Sequence, residues 1–381
     1  MSALVSRLAD LVAINSVNAS LPGGPGEQAM ADYVAKAARA MGAEVELYEV
    51  EPGRPNLLAR IDRARPRTLM FECHLDTVGL APMPDALNPR VEGGRLYGRG
   101  SADPKGSLAA MLSVLESAAA DPTFPVNVWL AGSMDEEITM RGSRALAERR
   151  PAVDAVIVGE PTNLQPIVAH KGVLRWRVRT TGVAAHSATP ERGRNAIFDM
   201  QTVIGALRAG IEPGLAKSSH PRLGPATWSV GVIEGGEAVN VVPDACQIDC
   251  DRRLLPGEDP DAVLAEVDQA LDALRQADAG LRVEREPPYV HVPPMETGAD
   301  EPVVRATAQA LTEAGRDPTL AAVAYATDAS MLASIGGLPA VVLGPGDIAQ
   351  AHTNDEWIEL AELEAAVGVY RGICEAFADA A

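Results

Sequence analysis

Apolar residues in the first 160 positions follow two alternating patterns. Between Met30 and Ala37 they repeat at helical spacing, and Gly42 then ends the predicted helix before the strand-like run VELYEV. The short apolar runs NLLARI, TLMFECH, VNVWLAGS and DAVIVGE come next, and helical patterns interleave with the later ones. Strands that are apolar on both faces and separated by helices predict an α/β fold with a mostly parallel sheet sandwiched by helices.

The pattern changes near residue 172. The runs LRWRVRTTG, ATWSVGVIEGG and CQIDCDRRL alternate large and polar residues, as strands of a sheet with one exposed face do. After the proline-rich run EREPPYVHVPP, the runs LAAVAY and PAVVLG and a closing helix resume the first pattern. We therefore predict a discontinuous domain over residues 1–172 and 291–381, interrupted by a smaller inserted α+β domain over residues 173–290.

Composition narrows the range of partners. The 381 residues are 47% hydrophobic and 22% charged, which is ordinary for a globular protein. The 33 basic and 52 acidic residues leave a net charge of −19, which repels nucleic acid and anionic membrane surfaces, so we expect neither as a partner. The acidic surplus has two open explanations, carboxylates that bind cations and a solvated acidic surface.

The cysteines indicate a reducing compartment. They form no disulfide framework and stand at Cys73, Cys246, Cys250 and Cys374. Cys246 and Cys250 lack a second Cys/His pair nearby, so we interpret them as packed thiols rather than a zinc site. The sequence shows neither a signal-peptide pattern nor an apolar stretch approaching 18 residues, and we predict a cytoplasmic protein.

Candidate chemistry lies where the apolar runs end. His74 and Asp76 close the run TLMFECHLD, and the two-residue period of a strand puts both on the same side. A metal-bound imidazole usually donates its other N–H to a carboxylate, so this pair suits a metal ligand and its orienter. A hydrogen-bonded core histidine is the alternative for the pair taken alone.

Four further polar signals stand near the ends of predicted strands or at the start of a helix. Asp103 lies among glycines before an amphipathic helix, where a simple helix cap is the alternative, and the Asp103–Pro104 bond suits a cis peptide. Three adjacent acids, 135–137, follow VNVWLAGSM and need a cation or proton unless they form a solvated loop. Glu160 follows DAVIVG, and His352 comes after PAVVLGPG.

These side chains are expected to converge, because ligands of open parallel sheets gather outside the carboxyl ends of the strands. Three carboxylates and two imidazoles are too many for one tetrahedral ion, and a two-metal site bridged by Asp103 accounts for the surplus. Two ions about 3.5–4 Å apart share a water and polarise a carbonyl, which is hydrolytic chemistry. Glu136, beside the candidate ligand Glu137, is left as the general base that takes the proton of the water.

With these residues the chain resembles the metal-dependent amidohydrolases and exopeptidases that include acetylornithine deacetylase, succinyl-diaminopimelate desuccinylase, aminoacylase and carboxypeptidase G. The resemblance covers nearly the whole chain. It rests on the segments CHLDTV, GRGSADPKG, MDEE, GEPT, AAHSATPERGRNAI, EAVNVVPDA, DRRLLPGE, ATDA and GPGDIAQAHTNDEW, in that order. It implies a zinc-exopeptidase-like catalytic domain with two divalent ions, Zn²⁺ first and Co²⁺ or Mn²⁺ as alternatives.

The resemblance also implies a role for each site residue. The implied metal ligands form two sets that share an aspartate: His74, Asp103 and Glu160 for one ion, and Asp103, Glu137 and His352 for the other. Asp76 and Glu136 complete the implied catalytic group. The resemblance further implies that the inserted domain is a lid that carries a homodimer contact.

In that inserted domain, His186 of GVAAHSATP matches a histidine that reaches the active site of the neighbouring subunit and stabilises the oxyanion. Asn240 and Arg253 match residues that hold the carboxylate of the substrate. Arg252 is adjacent, but alternation from Asp251 favours Arg253.

The sequence thus predicts a di-metal hydrolase that cleaves the amide of an N-acyl amino acid or a short peptide. The segment GPGDIAQAH places it with the acetylornithine deacetylase-like members. A carboxypeptidase or dipeptidase on the same scaffold is the alternative. A non-catalytic binding homologue is disfavoured, because every expected ligand is present.

Overall fold

The computed structural model describes residues 2–215 and 217–380. The chain divides into two compact units, the first comprising Met1–Ala169, Met295–Ala322 and Thr327–Ala381, and the second comprising His170–Pro294 and Val323–Ala326. The predicted inserted domain, 173–290, falls inside the second unit.

The helices are listed in chain order: α1 Ala3–Ala13, α2 Gln28–Ala40, α3 Lys105–Ala120, α4 Arg141–Glu148, α5 Ala196–Leu215, α6 Pro260–Ala277, α7 Pro302–Glu313, α8 Ala329–Ser334 and α9 Leu360–Asp379. Short 3₁₀ turns lie at Pro190–Arg192 and Ile348–Gln350. None of the helices in the described part of the chain has the length and apolar character needed to cross a bilayer.

The strands are β1 Glu44–Glu51, β2 Arg54–Ile61, β3 Thr68–His74, β4 Arg90–Glu92, β5 Arg95–Tyr97, β6 Asn127–Ser133, β7 Ala155–Val158, β8 Ile167–His170, β9 Gly172–Thr181, β10 Ala185–His186, β11 Ser219–His220, β12 Gly224–Pro225, β13 Thr227–Gly235, β14 Val241–Val242, β15 Ala245–Leu254, β16 Arg282–Arg285, β17 Val290–Val292, β18 Met295–Glu296, β19 Ala321–Val323, β20 Ala340–Val342 and β21 Trp357–Glu359.

The large sheet has the order β1-β2-β6-β3-β7-β20-β8-β18, with β19 paired to β8. Four central strands, β6, β3, β7 and β20, run parallel. Parallel pairing stops on both sides of these four. On one side, β2 pairs antiparallel with both β6 and β1, and on the other side β8 pairs antiparallel with β20. The α/β prediction is confirmed, and the sheet is more mixed than the expected mostly parallel one.

Strand β3 shows why the sheet needs helices on both faces. Every residue after its first is buried, and Leu69, Phe71 and Cys73 belong to a core that includes side chains of α1, α2, α3, α7 and α9. The alternate residues Met70 and Glu72 point to the other face, since successive strand side chains do so. This two-sided burial matches the continuous apolar runs in the sequence.

The second unit has a five-stranded antiparallel sheet in the order β13-β15-β9-β16, with β17 also paired to β9. Along β15, buried residues alternate with partly exposed ones. Cys246, Ile248 and Cys250 pack in a core with side chains of α5 and α6, and the two cysteines are free thiols. The predicted sheet with one exposed face is therefore confirmed.

Candidate metal centre

The four parallel strands deliver polar side chains to one edge of the sheet. His74 is the last residue of β3, and the acidic turn 135–137 follows β6. Glu160 follows β7, and His352 lies in the segment after β20. Because the carboxyl ends of parallel strands share an edge, these residues meet there.

Asp103 joins two groups of side chains at this edge. Its Oδ1 lies 3.1 Å from Nε2 of His74, which is 3.9 Å from Oε1 of Glu160. Its Oδ2 lies 3.4 Å from Nε2 of His352, which is 3.0 Å from Oε2 of Glu137. In each group of three, the potential ligand atoms lie within 4.8 Å of one another, close enough to hold a metal ion. These two groups have the same members as the two ligand sets that the family resemblance implies.

The turn that carries Asp103 precedes α3, and its Asp103–Pro104 peptide bond is cis, as predicted. The residue before the helix, Pro104, has no side-chain cap hydrogen bond, and Asp103 faces the histidines instead. The simple helix-cap alternative for Asp103 is therefore wrong.

His74 is oriented through its second nitrogen. Nδ1 lies 3.1 Å from the backbone oxygen of Asp76 and 3.5 Å from its carboxylate. An Nδ1–H donated to Asp76 leaves the Nε2 lone pair facing Asp103 and Glu160, which is the arrangement a metal-binding imidazole needs.

The carboxylate of Asp76 also fixes the acidic turn, which the sequence did not reveal. It accepts hydrogen bonds from the backbone N–H groups of Glu136 at 3.1 Å and Glu137 at 3.2 Å. The side chain of Asn18 donates to the same carboxylate at 2.6 Å. One buried carboxylate thus positions the ring of His74 and the backbone of both glutamates.

The three adjacent acids separate into different environments. Asp135 has a φ of 71°, in the left-handed region that non-glycine residues seldom adopt. Its buried carboxylate accepts from Arg54 at 3.0 Å and from Arg141 at 2.9 Å, so cations neutralise it. Among the described residues, no arginine contacts Glu136 or Glu137 in this way, and Glu137 is one of the potential metal ligands.

The surroundings of Glu136, Glu137 and Glu160 disfavour the charged form of each carboxyl group. Burial, with neighbouring carboxylates, raises the pKa of Glu136 and Glu160 well above the usual range and raises that of Glu137. A proton or a metal ion would offset the negative charge here, as the arginines do at Asp135. A bound cation displaces such protons, so metal binding at this centre depends on pH.

The surroundings of the histidines and of Asp103 favour their charged forms, whereas the surroundings of these glutamates favour the neutral form. Burial opposes charge on Asp103, but hydrogen bonds from His352 and His74 outweigh it and hold its pKa below the usual range. Hydrogen bonds to Asp103 and Glu137 raise the pKa of His352 to about 10. Burial disfavours protonated His74, yet its bonds to Asp103 and Asp76 hold its pKa well above the usual value.

The second unit brings together two of its three candidate residues. His186 in β10 pairs with Val241 of β14, and the N–H of Ser187 donates to the backbone oxygen of Asn240 at 3.0 Å. The exposed His186 accepts at Nδ1 from the N–H of Ala188 at 3.0 Å. A neutral His186 therefore carries its proton on Nε2, as a donor.

Arg253 lies elsewhere in the second unit. Arg253 stands near the end of β15, whereas Asn240 precedes the start of that strand. Ala245, the first residue of β15, is roughly 26 Å from Arg253 along the strand. Its guanidinium is partly exposed and contacts Asp251 at 2.8 Å, whereas the neighbouring Arg252 is buried against Glu258 at 2.7 Å. Of the two arginines, Arg253 is the more accessible.

Comparison with known proteins identifies the class. Residues 70–376 match the profile of peptidase family M20/M25/M40. The chain is 34% identical over 342 residues to acetylornithine deacetylase from Aliivibrio fischeri strain MJ11, a match that covers 86% of each protein. The chain therefore belongs to peptidase family M20/M25/M40 and is a metal-dependent amide hydrolase.

Solved structures show the same fold. An aminopeptidase from Bacillus cereus superposes with a TM-score of 0.81 at 23% identity, covering 99% of this chain and 98% of that one. An M20 family metallo-carboxypeptidase from Sulfolobus solfataricus gives a TM-score of 0.82 at 20% identity, covering 99% and 100%. These structures confirm the predicted fold class, and the family profile and the deacetylase relative confirm the predicted family.

Proposed function

We propose that this protein removes the acyl group from an N-acylated amino acid with the help of two divalent metal ions. The observation that carries the proposal is the bridging position of Asp103, whose two carboxylate oxygens face two different histidines. Relatives that are acetylornithine deacetylases, with identities of 30% to 34%, support an N-acyl amino acid as the substrate.

The donor atoms fit the proposed ions. Two imidazole nitrogens and three carboxylates are ligands that Zn²⁺ accepts, and Co²⁺ and Mn²⁺ are alternatives. The side chains that hold them are His74, Asp103, Glu137, Glu160 and His352. When bound, such ions supply Lewis acidity toward the amide carbonyl and toward water.

Glu136 acts as the general base. Its carboxylate takes a proton from the attacking water and delivers it to the leaving nitrogen as the C–N bond breaks, giving a carboxylate and an amine. Its position beside Glu137, its backbone bond to Asp76 and its raised pKa all support this role. Asp76 keeps His74 and the glutamates in place.

The inserted domain recognises the substrate and carries a homodimer contact. Arg253 holds the α-carboxylate, since a guanidinium binds a carboxylate with two parallel hydrogen bonds. Asn240 lies beside His186 and away from Arg253, so it reaches the same carboxylate from the second subunit, together with His186. The donor Nε2–H of His186 stabilises the oxyanion in the active site of a second subunit. The edge strand β13 exposes Val232 and Ile233 by 44% and 57%, and pairing with a second copy would cover this edge.

Metal analysis of protein purified without chelator, followed by a substrate panel, tests the function. We expect two zinc-like ions per chain and turnover of N-acetyl-ornithine or N-succinyl-diaminopimelate in preference to dipeptides. The Glu136→Gln variant, purified in parallel, controls for contaminating hydrolases. Turnover of dipeptides alone would contradict the deacylase proposal and indicate a dipeptidase.

Mixed dimers test the role of His186. The variants His186→Ala and Glu136→Gln are each expected to be inactive alone. In a mixed dimer, one of the two sites has both residues intact, so activity should return when the differently tagged chains are combined. Confirmed heterodimers without recovered activity would rule out a contribution from the second subunit.

A further inference from the structure

A buried ion pair, Arg99–Glu356, lies beside one of the two metal-ligand groups. Both side chains are only 1–2% exposed, and Nη1 of Arg99 lies 2.7 Å from Oε2 of Glu356. The carboxylate of Glu356 also accepts from the backbone N–H groups of Gly100 at 2.9 Å, Ala102 at 3.0 Å and Asp103 at 3.1 Å. Glu356 thus fixes the turn that presents the bridging aspartate.

The guanidinium of Arg99 binds two other segments of the first unit. Nη2 donates to the backbone oxygen of Thr353 at 3.0 Å, directly after His352. Nε donates to the backbone oxygen of Gly79 at 3.1 Å. The residue before Gly79, Val78, donates its N–H to Oε1 of Glu137 at 3.1 Å.

These contacts are concentrated on one ligand group. Each of its members, Asp103, Glu137 and His352, is held by the ion pair directly or through an adjacent backbone segment. His74 and Glu160 are held differently: His74 pairs with Ser133 in the strand ladder, and the residue before Glu160 donates to the backbone of β3 at 2.8 Å.

His352 is the ligand that most needs external support. Its side chain is 54% exposed, and its backbone has a φ of 61° in an irregular segment. The side chain of His74 is 2% exposed at the end of a central strand. Because a buried ion pair is poor evidence of net stabilisation, a positional role accounts for Arg99 and Glu356 better than a stabilising one.

We propose that Arg99 and Glu356 are positioning residues that set the metal affinity of the Asp103–Glu137–His352 group and leave the His74–Asp103–Glu160 group nearly independent. The inference rests on the two-metal site of the proposed function. Under this proposal, different residues position the ligands of the two ions, although both ions share Asp103.

Two variants disturb the pair in different ways. Arg99→Lys keeps the charge opposite Glu356 but loses the fork that reaches Thr353 and Gly79 together. Glu356→Gln keeps the size of the side chain but replaces one acceptor oxygen by a donor amide. In calorimetric titrations of chelator-stripped protein with Zn²⁺, we expect one ion to bind nearly as in the wild type and the other about 10–100-fold more weakly.

Ligand variants assign the weakened ion. In a His352→Ala background, only the His74 group remains complete, and adding Arg99→Lys should not weaken the remaining ion further. In a Glu160→Ala background, the same substitution should retain its full effect. A double-mutant cycle of this kind isolates the coupling between the ion pair and one ligand group.

Glu258→Gln in the second unit is a matched control. Glu258 also accepts from a buried arginine, Arg252, at 2.7 Å and from a backbone N–H, that of Leu255, at 2.7 Å. This variant should bind both ions like the wild type.

Three results would overturn the inference: unchanged binding of both ions in both variants, equal weakening of both ions, or loss of folding in both variants, which would make the pair a requirement of the fold. Wild-type protein that binds fewer than two ions would contradict the proposed function instead.

Discussion

The acidic side chains of the metal centre and those on the exposed sheet face of the second unit have opposite surroundings. On that face, three arginines of β9 form ion pairs with neighbouring acids. The pairs are Arg175–Asp251 at 2.8 Å, Arg177–Asp249 at 2.8 Å and Arg179–Glu286 at 2.6 Å. At the metal centre, Glu136, Glu137 and Glu160 lie near one another and near two imidazoles, and none of the described arginines contacts them.

The difference shows that local neutralisation, and not total charge, locates the functional carboxylates. Partly exposed acids with arginine partners form a polar sheet surface and contribute little to stability. Buried acids without such partners must bind protons or metal ions, and they mark a functional site. The net charge of −19 is therefore mostly a property of the solvated surface, the second of the two explanations that the composition left open.

The largest expected effect comes from the metal-centre side of this comparison. Glu136→Gln should lower kcat by about 10²–10⁴-fold while the metal content stays unchanged, because the amide cannot take the proton of water. Steady-state kinetics and metal analysis on the same preparation check both parts. Substantial retained activity would remove Glu136 as the base.

Asp76→Asn should have the next largest effect. The amide keeps one acceptor but turns an NH₂ group toward the N–H donors of Glu136 and Glu137, which disturbs the ligands without removing one. We expect metal affinity to fall about 10–100-fold, measured by competition with a chelator. Unchanged affinity would show that the strand ladder and the turn hold the ligands without Asp76.

Metal removal should destabilise the protein more at high pH than at low pH. The raised pKa values of Glu136, Glu137 and Glu160 mean that the metal-free folded state keeps protons that the unfolded chain loses near pH 4.5. Its unfolding free energy therefore falls as the pH rises through the raised pKa values. His352, with a pKa raised to about 10 from 6.5, contributes stability that is likewise lost toward pH 10, whereas the lowered pKa of Asp103 acts only in acid.

Thermal unfolding at pH 6 and pH 9, with and without chelator, measures this effect. The gap between the metal-loaded and metal-free Tm should widen at pH 9, by roughly 1–2 °C for each kcal/mol of lost stability in a chain of this length. A gap that does not change with pH would contradict the proposed protonation of the metal-free centre.

The smallest effect is expected on the arginine-paired side of the comparison. Asp249→Asn removes the charge opposite Arg177 and should change the free energy of unfolding by less than about 1 kcal/mol, with kcat unchanged. Denaturant titration and an activity assay check this. A large loss of activity would mean that the exposed sheet face takes part in the reaction.

The sequence predicted the residues that end strands, because those predictions depend on local patterns. The two-residue period placed His74 and Asp76 together, and turn residues placed Asp103 and Glu160 just outside regular elements. The Asp103–Pro104 cis bond was predicted from the same local chemistry and is confirmed.

Contacts between distant segments were not predictable from those patterns. Nothing in the run MDEE shows that Asp135 adopts a positive φ and turns to Arg54, whereas Glu137 joins Asp103 and His352 in a potential ligand group. The bonds of Asp76 to the acidic turn and the pair Arg99–Glu356 also join segments far apart in the chain. Such contacts depend on which strands become neighbours.

Strand β20 has a consequence for how the protein is made. It lies between β7 and β8 in the sheet, although about 180 residues separate it from β7 along the chain. At about 5–20 residues per second, the ribosome completes β20 on the order of 10–35 s after β7. During that interval β7 lacks its neighbour on one side, so a nascent chain exposes an open strand edge that chaperones or early folding of the inserted segment must protect from misassembly.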